Sequence, residues 1–409
     1  MKCLTIAVAA GVSLSGTAYA ETQPEGSEPK VDALYLPYEQ PGIFTKLATG
    51  ETIHIKCMGV GSPTVILTAG AGDWSAAWRN VQPQIAKTTR VCAWDRPGFG
   101  FSSGSTQRQT TSNTATVLKA ALTAARIRGP YIVVGHSLGA YESVMFKDRN
   151  PKAVVGMVLV DPSIPDQVNR MRQAAPRFAQ AMDAYTASNL AVYGRCIAGL
   201  KSGTLTIGSK DPDGCLGYAA DYPAELTLAL AQRDLNPLRF ATAGSMFQNI
   251  DADGQSMVNP TRSYGTMPLI VLTATKDPAA WPPGFTQAAQ DELPAFKSVW
   301  SRGHDEYAAL SSRGVNRLVS DSTHYVQYDQ PQVVIVAIEE VVAAAREEPK
   351  RALVDPSLSR NTSSSILVAL FRSASPAANK FSSSKIIGRS SCSRKAASSP
   401  FEVVLDEIQ

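Results

Sequence analysis

Residues 130–141 read PYIVVGHSLGAY, an apolar run that ends at a serine set between two glycines. Gly135, Ser137 and Gly139 form the pattern G-x-S-x-G, which places a serine on a tight turn between a strand and a helix. The small residues on either side let neighbouring backbone approach closely and leave the hydroxyl exposed at the tip of the turn. Ordinary turns also match so short a motif, so the rest of the chain decides whether Ser137 is a nucleophile.

Composition and charge limit the classes of protein to which the chain can belong. It has 409 residues, of which 44% are hydrophobic, and this is typical of a globular protein with a large core. The 39 Lys and Arg residues nearly balance 35 Asp and Glu residues, and no block of like charge indicates a nucleic-acid partner. After the N-terminus, no apolar run reaches the ~20 residues that cross a bilayer.

The N-terminus is predicted to be a signal peptide, residues 1–20. Lys2 supplies a positive charge, residues 4–14 are mostly apolar, and residues 18–20 read AYA, which fits an A-x-A cleavage site. We therefore expect an exported chain, secreted or periplasmic, that is cleaved after Ala20.

Export favours disulfide bonds among the cysteines, since the compartment is oxidising. Of the six cysteines, Cys3 leaves with the signal peptide and Cys392 lies close to the C-terminus. The other four have no CxxC spacing typical of a zinc or redox site, so disulfides are the expected use. These residues, for which the spacing leaves three pairings open, are Cys57, Cys92, Cys196 and Cys215.

Strand-like apolar runs alternate with helical patterns over most of the chain. The predicted strands are residues 52–58, 64–68, 90–94, 131–134, 154–160, 268–273 and 316–319. The predicted helices between them are residues 76–87, 112–127, 138–148, 293–310 and 332–346. This alternation predicts an α/β fold, with a mostly parallel central sheet covered by helices on both faces and ligands at the carboxyl ends of the strands.

One interval, residues 163–265, lacks this alternation and contains helical stretches at 168–190 and 224–235. We predict that it is an inserted helical cap over the functional edge of the sheet; the alternative is a separate small domain. The expected domains are an N-terminal extension, a core in two segments and a disordered tail rich in serine and basic residues. Their bounds are 21–40 for the extension, 41–162 and 266–346 for the core, and 347–409 for the tail.

A serine needs a base to accept its proton, and the chain has four histidines. His54 lies in a predicted strand, and His136 adjoins Ser137, where neighbouring side chains diverge from the turn. His304 lies in a helical stretch and is predicted to be solvated. His324 remains: it follows the last predicted strand and therefore opens onto the same edge of the sheet as Ser137.

Six motifs together resemble the α/β-hydrolase superfamily over about residues 42–346. A serine at position 137 is similar to the nucleophile of esterases, lipases, peptidases and acyl-transfer enzymes, whereas haloalkane dehalogenases and epoxide hydrolases carry aspartate there. The usual His-Gly after the third strand is Ala69-Gly70 here, and Asp95 matches a structural turn element of the fold. The motifs are VILTAGAGDWSAAW (65–78), VCAWDRPGFGFSS (91–103), VVGHSLGAY (133–141), MVLVDPS (157–163), LIVLTATKD (269–277) and STHYVQYDQPQVV (322–334).

The resemblance implies a triad in the chain order nucleophile, acid, base, which agrees with Ser137 and His324. Two carboxylates follow strands between them, Asp161 and Asp277. We predict Asp277 as the acid because the penultimate strand is the commoner supplier in this architecture; Asp161 is the alternative.

An oxyanion hole is expected from two backbone N–H groups. The resemblance implies the N–H of Leu138, which follows the nucleophile, and an N–H from the loop after an earlier strand. We predict Ala71 for the second donor, with Gly70 or Gly72 as alternatives.

The resemblance also implies a pairing of the cysteines. The second strand of the superfamily's sheet lies beside the fourth, and here these strands carry Cys57 and Cys92. Cys196 and Cys215 both fall in the proposed cap, where a bridge would close a short loop.

The predicted function is a secreted serine hydrolase, esterase- or lipase-like, that cleaves carboxylic esters of a small molecule or acyl group. We expect no cofactor and no metal, because no cluster of metal ligands appears, and the oligomeric state is open. One alternative is an aminopeptidase or amidase of the same fold, for which acidic residues of the cap could anchor an amine: Asp183, Asp221 or Glu225. Another is a hydrolase fold that binds a ligand without turnover.

Overall fold

The computed structural model describes residues 31–218 and 220–354. The predicted signal peptide, the start of the N-terminal extension and the tail after residue 354 lie outside these residues. The central feature of the fold is an eight-stranded sheet with the order β1-β2-β4-β3-β5-β6-β7-β8. Its strands are β1 (Ile43–Lys46), β2 (Thr52–Met58), β3 (Thr64–Thr68), β4 (Val91–Trp94), β5 (Tyr131–His136), β6 (Val154–Val160), β7 (Leu269–Ala274) and β8 (Gly314–Val319).

The sheet is mostly parallel, as predicted. Strands β3 to β8 run parallel to their neighbours, whereas β1 pairs antiparallel with β2, and β2 with β4. The central strands are buried on both faces: in β3, Val65 and Leu67 pack into one apolar cluster and Ile66 into another. Burial on both faces explains their continuous apolar runs. The edge strand β1 was not predicted from the sequence; its burial pattern is mostly exposed.

Helices cover both faces of the sheet. The long C-terminal helix packs Val334, Ile338 and Val341 against the face that carries Val65 and Leu67. None of the helices among the described residues is long and apolar enough to span a membrane. The helices are α1 (Leu36–Glu39), α2 (Gln82–Ile85), α3 (Thr111–Ala124), α4 (Gly139–Arg149), α5 (Gln167–Ala174), α6 (Pro176–Ser202), α7 (Ala224–Asp234), α8 (Pro237–Ser256), α9 (Gln287–Gln290), α10 (Leu293–Ala308), α11 (Val326–Asp329) and α12 (Pro331–Val354).

Four helices, α5 to α8, lie between β6 and β7, where the cap is predicted. The predicted helix 168–190 is two helices, because Pro176 lacks the N–H that a continuing helix needs and instead begins α6. Helix α8 was missed, although Asn236 caps its N-terminus by accepting from the Leu238 N–H. Helix α12 continues past the predicted end at residue 346.

Both predicted disulfides are present. Cys57 and Cys92 are register partners on the antiparallel strands β2 and β4, with Cα atoms 4.0 Å apart. Cys196 of α6 bonds Cys215 in the loop before α7. This second bridge closes a loop within the helical insertion, which is worth about 3 kcal/mol in the chain-entropy account of disulfide stabilisation.

Candidate active site

Ser137 lies on the turn between β5 and α4. Its backbone has φ 51°, a left-handed conformation that is rare outside glycine and marks a strained turn. The glycines of the motif permit this turn: a Cβ on Gly135 would lie 2.4 Å from the Gly139 carbonyl oxygen, and one on Gly139 would lie 2.5 Å from that of Ala69. The Ser137 N–H donates to the Val160 carbonyl at 3.1 Å, which ties the turn to the end of β6.

His324 lies in the loop between β8 and α11, with its Nδ1 2.6 Å from Asp161 Oδ2. A carboxylate accepts only, so Nδ1 carries a proton, and in the neutral form of the ring Nε2 is the unprotonated nitrogen. Nε2 is buried and has no hydrogen-bond partner among the described residues. Asp329 Oδ2 holds the loop by accepting from the Thr323 N–H at 2.7 Å. The imidazole therefore presents a free basic nitrogen.

His136 joins the His324 loop to the Ser137 turn. Its Nε2 donates to the His324 carbonyl at 2.9 Å, and the two rings lie 4.7 Å apart between centroids. Burial, with the nearby charge of His324, lowers the pKa of His136 to about 3, so this ring stays neutral. The expectation that the side chains of His136 and Ser137 diverge stays a prediction, whereas the contact between His136 and the candidate base was not predicted.

Asp161 directly follows β6 and is 4% exposed. Its Oδ1 accepts from the Ala274 N–H at 3.0 Å and from Trp300 Nε1 at 3.2 Å. Burial alone would raise the pKa of Asp161, but the hydrogen bond and charge of His324, with the Ala274 N–H, outweigh burial and lower it. The carboxylate is therefore ionised and orients the His324 ring.

Asp277, the predicted acid, is not beside His324. After β7 the backbone forms hydrogen bonds with the end of β8 and the loop that follows it. The Thr275 N–H donates to the Val319 carbonyl, and the Lys276 N–H donates to the Ser322 carbonyl. The Asp277 side chain is 59% exposed and pairs with Lys297. The prediction of Asp277 as the partner of His324 is wrong, because the loop carries it to the surface, whereas Asp161 stands at the strand end itself.

The loop after β3 lies against the Ser137 turn. A Cβ on Gly70 would lie 2.8 Å from His136 Nδ1 and 3.4 Å from Ser137 Cβ, so only glycine allows this approach. Ala71 and Leu138, the residues predicted to supply the two N–H donors, line the same cavity as Ser137. No acceptor among the described residues is bonded to either N–H.

Two other histidines are buried in hydrogen-bonded positions. His304 was predicted to be solvated, which is wrong: it is 0% exposed, with Nε2 2.8 Å from the Pro162 carbonyl and Nδ1 2.7 Å from Thr273 Oγ1. Its spacing from other buried residues of α10, Trp300 and Tyr307, was a signal of burial that the sequence contained.

His54 lies in β2, as predicted, and forms a second histidine–carboxylate pair. Its Nδ1 is 2.7 Å from Asp95 Oδ2, and its Nε2 accepts from the Gly42 N–H at 2.9 Å. Asp95 also accepts from the N–H groups of Ser75 and Phe101, so its contacts hold backbone together.

Asp73, in the loop after β3, was not singled out by the sequence. Its Oδ2 is buried without a hydrogen-bond partner among the described residues. Burial raises the pKa of Asp73 to about 6, although the charges of Arg96, His324 and Arg79 act in the opposite direction. An acid directly after a glycine-rich loop is the sequence signal that could have found it.

A cavity of about 140 Å³ opens between the helical insertion and the Ser137 turn. Ser137, Leu138 and Ala71 line it. Arg172, also in the lining, pairs with Asp183 and Asp251, with N–O distances of 3.3 and 3.1 Å. Its walls are largely apolar, formed by Val168, Met171, Met182, Phe247, Ile250 and Trp300.

This sheet, with serine, histidine and aspartate at its carboxyl edge, is the architecture of the α/β hydrolases. The model of the Alpha/beta hydrolase family matches residues 65–338, and the chain belongs to this family.

Sequence relatives match part of the chain. It is 32% identical over 125 residues to 2-hydroxy-6-oxononadienedioate/2-hydroxy-6-oxononatrienedioate hydrolase 2 of Pseudomonas putida, covering 29% of this chain and 43% of that protein. It is 32% identical over 116 residues to the uncharacterized protein YqjL of Bacillus subtilis (strain 168), covering 28% of this chain and 45% of that protein. The chain thus spans less than half the length of these relatives.

Among solved structures, the fold is similar to that of DBJA. The TM-score is 0.52 at 15% sequence identity, with 75% of this chain and 98% of that chain covered. At this identity the likeness concerns the fold.

Proposed function

We propose that the protein is an exported serine hydrolase that cleaves carboxylic esters through an acyl-enzyme intermediate. Ser137 is the nucleophile, His324 the general base, and Asp161 the acid that orients the base. The observation that carries this proposal is the His324–Asp161 hydrogen bond, which leaves Nε2 buried and without a partner among the described residues, in a ring whose centroid lies 4.7 Å from that of His136, the neighbour of Ser137.

Each step has a residue to perform it. Ser137 Oγ attacks the ester carbonyl while its proton passes to His324 Nε2, and the imidazolium is stabilised by Asp161. The tetrahedral oxyanion accepts hydrogen bonds from the N–H groups of Ala71 and Leu138. The intermediate then collapses, the C–O bond breaks, and the alcohol leaves with the proton from Nε2. Water, activated by the same nitrogen, hydrolyses the acyl-enzyme.

The cavity favours an ester with an apolar group of modest size. Side chains such as Met171, Met182 and Phe247 surround the space next to Ser137, and burial of apolar surface against them favours binding. Among the described residues that line the cavity, the only acidic ones are Asp183 and Asp251, and both are paired with Arg172. This pairing favours an ester over a substrate with a free amine. The name of the Pseudomonas putida relative, a hydrolase, agrees with the reaction class.

Export is supported by the apolar N-terminal segment and by the two disulfides. The mature protein should begin at Glu21, which N-terminal sequencing of the exported chain would check; an intact N-terminus in that fraction would contradict cleavage after Ala20.

The test is a panel of p-nitrophenyl esters of increasing acyl length beside aminoacyl p-nitroanilides. The wild-type chain should turn over the shorter esters and leave the anilides largely intact. Ser137→Ala should lower kcat on the order of 10⁴–10⁶-fold, as in other serine triads. Retention of ester turnover by Ser137→Ala would refute the mechanism, and preferential anilide cleavage would favour the amidase alternative.

Ser143→Ala is the matched control. Ser143 is buried in α4, close to Ser137 in the chain, but its hydroxyl donates to the Gly139 carbonyl at 2.9 Å within the helix. Its replacement should change kcat by less than about 3-fold, since a helix-internal hydroxyl bond contributes to stability alone.

A further inference from the structure

Arg96 is a buried cation that contacts the loop after β3. It is 2% exposed and lies in the turn after β4. Its Nη1 donates to the Gly70 carbonyl at 2.9 Å, and its Nη2 donates to the Ala69 carbonyl. The guanidinium therefore forms hydrogen bonds with two successive peptide groups of the loop that carries Ala71.

The remaining face of Arg96 contacts the helix that follows Ser137. Arg96 Nε lies 2.7 Å from Glu142 Oε1, and Nη2 lies 2.7 Å from Oε2. Glu142 is in the first turn of α4 and is also buried. One guanidinium thus joins the two chain segments that supply the proposed oxyanion donors, Ala71 and Leu138.

Because a peptide group is planar, the hydrogen bond from Arg96 to the Gly70 carbonyl also sets the direction of the Ala71 N–H. The Gly70–Ala71 peptide is trans, so the Ala71 N–H points opposite to the Gly70 carbonyl. Because Arg96 binds that carbonyl, the N–H is directed away from Arg96. Ala71 borders the cavity with Ser137, and its N–H has no acceptor among the described residues.

We propose that Arg96 is a positioning residue for catalysis: its guanidinium fixes the 69–71 loop so that the Ala71 N–H is preorganised for the oxyanion. This inference rests on the proposed function, because the oxyanion forms only in acyl transfer. A preorganised donor stabilises the transition state more than the substrate, so its loss should lower kcat and leave KM nearly unchanged.

The chain contains a closely matched control in Arg239. This side chain is 4% exposed, its Nε lies 2.7 Å from Asp234 Oδ1, and its terminal nitrogens donate to the carbonyls of Gly100 and Ser102. Arg239 thus has the same arrangement as Arg96, a buried ion pair whose guanidinium binds two carbonyls. None of these hydrogen bonds involves the 69–71 loop.

The experiment compares Arg96→Lys with Arg239→Lys, since lysine keeps the charge and loses the fork that binds two carbonyls. Arg96→Lys should lower kcat about 10–100-fold with KM changed by less than about 3-fold, below the full loss of one donor. The Ki of a trifluoromethyl ketone, which forms a tetrahedral adduct with the serine, should rise by the same factor as kcat falls. Arg239→Lys should change both by less than about 3-fold, whatever its effect on thermal stability.

A second variant covers the case in which Arg96→Lys fails to fold. Arg96→Met with Glu142→Leu removes both charges, and replacing a buried ion pair by apolar side chains is often neutral for stability. Its kcat and Ki should change as in Arg96→Lys. The proposal would be overturned if the Arg96 and Arg239 substitutions changed kcat and Ki equally, or if Ki were unchanged in the folded Arg96 variants. Failure of the proposed function itself is distinguishable, because the wild-type chain would then show no ester turnover or Ser137→Ala would retain it.

Discussion

The described part of the chain contains two buried histidine–aspartate pairs with nearly equal separations, one toward each edge of the sheet. His324 and Asp161 meet at 2.6 Å at the carboxyl ends of β6 and β8, and His54 and Asp95 meet at 2.7 Å beside β2 and β4. In both, Nδ1 faces the carboxylate. The side chains and the distance therefore do not distinguish a base from a structural contact.

The second ring nitrogen does distinguish them. Nε2 of His54 accepts from the Gly42 N–H at 2.9 Å, so its lone pair is occupied and cannot take up a substrate proton. Nε2 of His324 has no hydrogen-bond partner among the described residues, and the centroid of its ring lies 4.7 Å from that of His136, the neighbour of Ser137. A histidine–aspartate pair supports base chemistry only where the other nitrogen is kept free.

The largest expected effect separates the two histidines. His324→Ala should lower kcat on the order of 10⁴–10⁶-fold because the base is lost, and it should also lower the free energy of unfolding because the buried Asp161 carboxylate loses its partner. His54→Ala should change kcat by less than about 3-fold but lower the free energy of unfolding by roughly 2–5 kcal/mol, since the buried Asp95 and the Gly42 N–H lose a partner. Ester kinetics and urea unfolding measure the two quantities; a large kcat loss in folded His54→Ala would erase the distinction.

The next largest effect concerns Asp161 and Asp277, the two candidate acids that lie between Ser137 and His324 in the sequence. Asp161→Asn should lower kcat by about 10⁴-fold, because an amide favours the wrong imidazole tautomer. Asp277→Asn should change kcat by less than about 3-fold, since an exposed pair with Lys297 contributes little. The same ester assay decides between them, and a greater loss in Asp277→Asn would mean that the loop after β7 rearranges in solution.

The smallest effect is a pH dependence of stability. Burial raises the pKa of Asp73 to about 6, so between about pH 4 and 6 the folded chain binds more protons at this group than the unfolded chain, and stability falls as pH rises. Asp73→Asn should therefore raise the free energy of unfolding by about 1–3 kcal/mol at pH 8 and bring no gain at pH 4.

Asp95 provides the opposite case: burial would raise its pKa, but its hydrogen bonds with the His54 ring and with the N–H groups of Phe101 and Ser75 outweigh burial and lower it. Its stabilising contribution is complete above the unfolded-state pKa of about 3.9 and is lost as pH falls through the lower folded-state pKa. Asp95→Asn should therefore be destabilising at pH 8. Urea unfolding at pH 4, 6 and 8 tests both variants. If Asp73→Asn raised the free energy of unfolding equally at all three values, titration of Asp73 would not be the cause.

The parts of the fold that could be predicted from sequence are those with local signals. Strands β3 and β6 have the predicted bounds because each is a continuous apolar run that is buried on both faces. Strand β2 also has the predicted bounds, and in it the apolar Ile53, Ile55 and Cys57 alternate with His54 and Lys56. The pairing of Cys57 with Cys92 was available through the family's sheet order. Ser137 and His324 were identified because a glycine-flanked serine and a loop after the last strand are short-range features.

The missed features depend on where a side chain points after its strand ends. Asp161 and Asp277 both follow strands, and only the three-dimensional course of the β7–α9 loop shows that Asp277 faces Lys297. Arg96 lies in a motif that the sequence identified, yet its contacts join segments far apart in the chain. Such contacts leave no periodic pattern, so the sequence alone does not reveal them.

The residues that line the candidate cavity come from two separate parts of the chain. Ser137, Leu138 and Ala71 belong to the sheet core, whereas Met171, Met182 and Phe247 lie on helices of the insertion. Random libraries confined to α5, α6 and α8 should therefore change which esters the proposed enzyme prefers without replacing Ser137, His324 or Asp161.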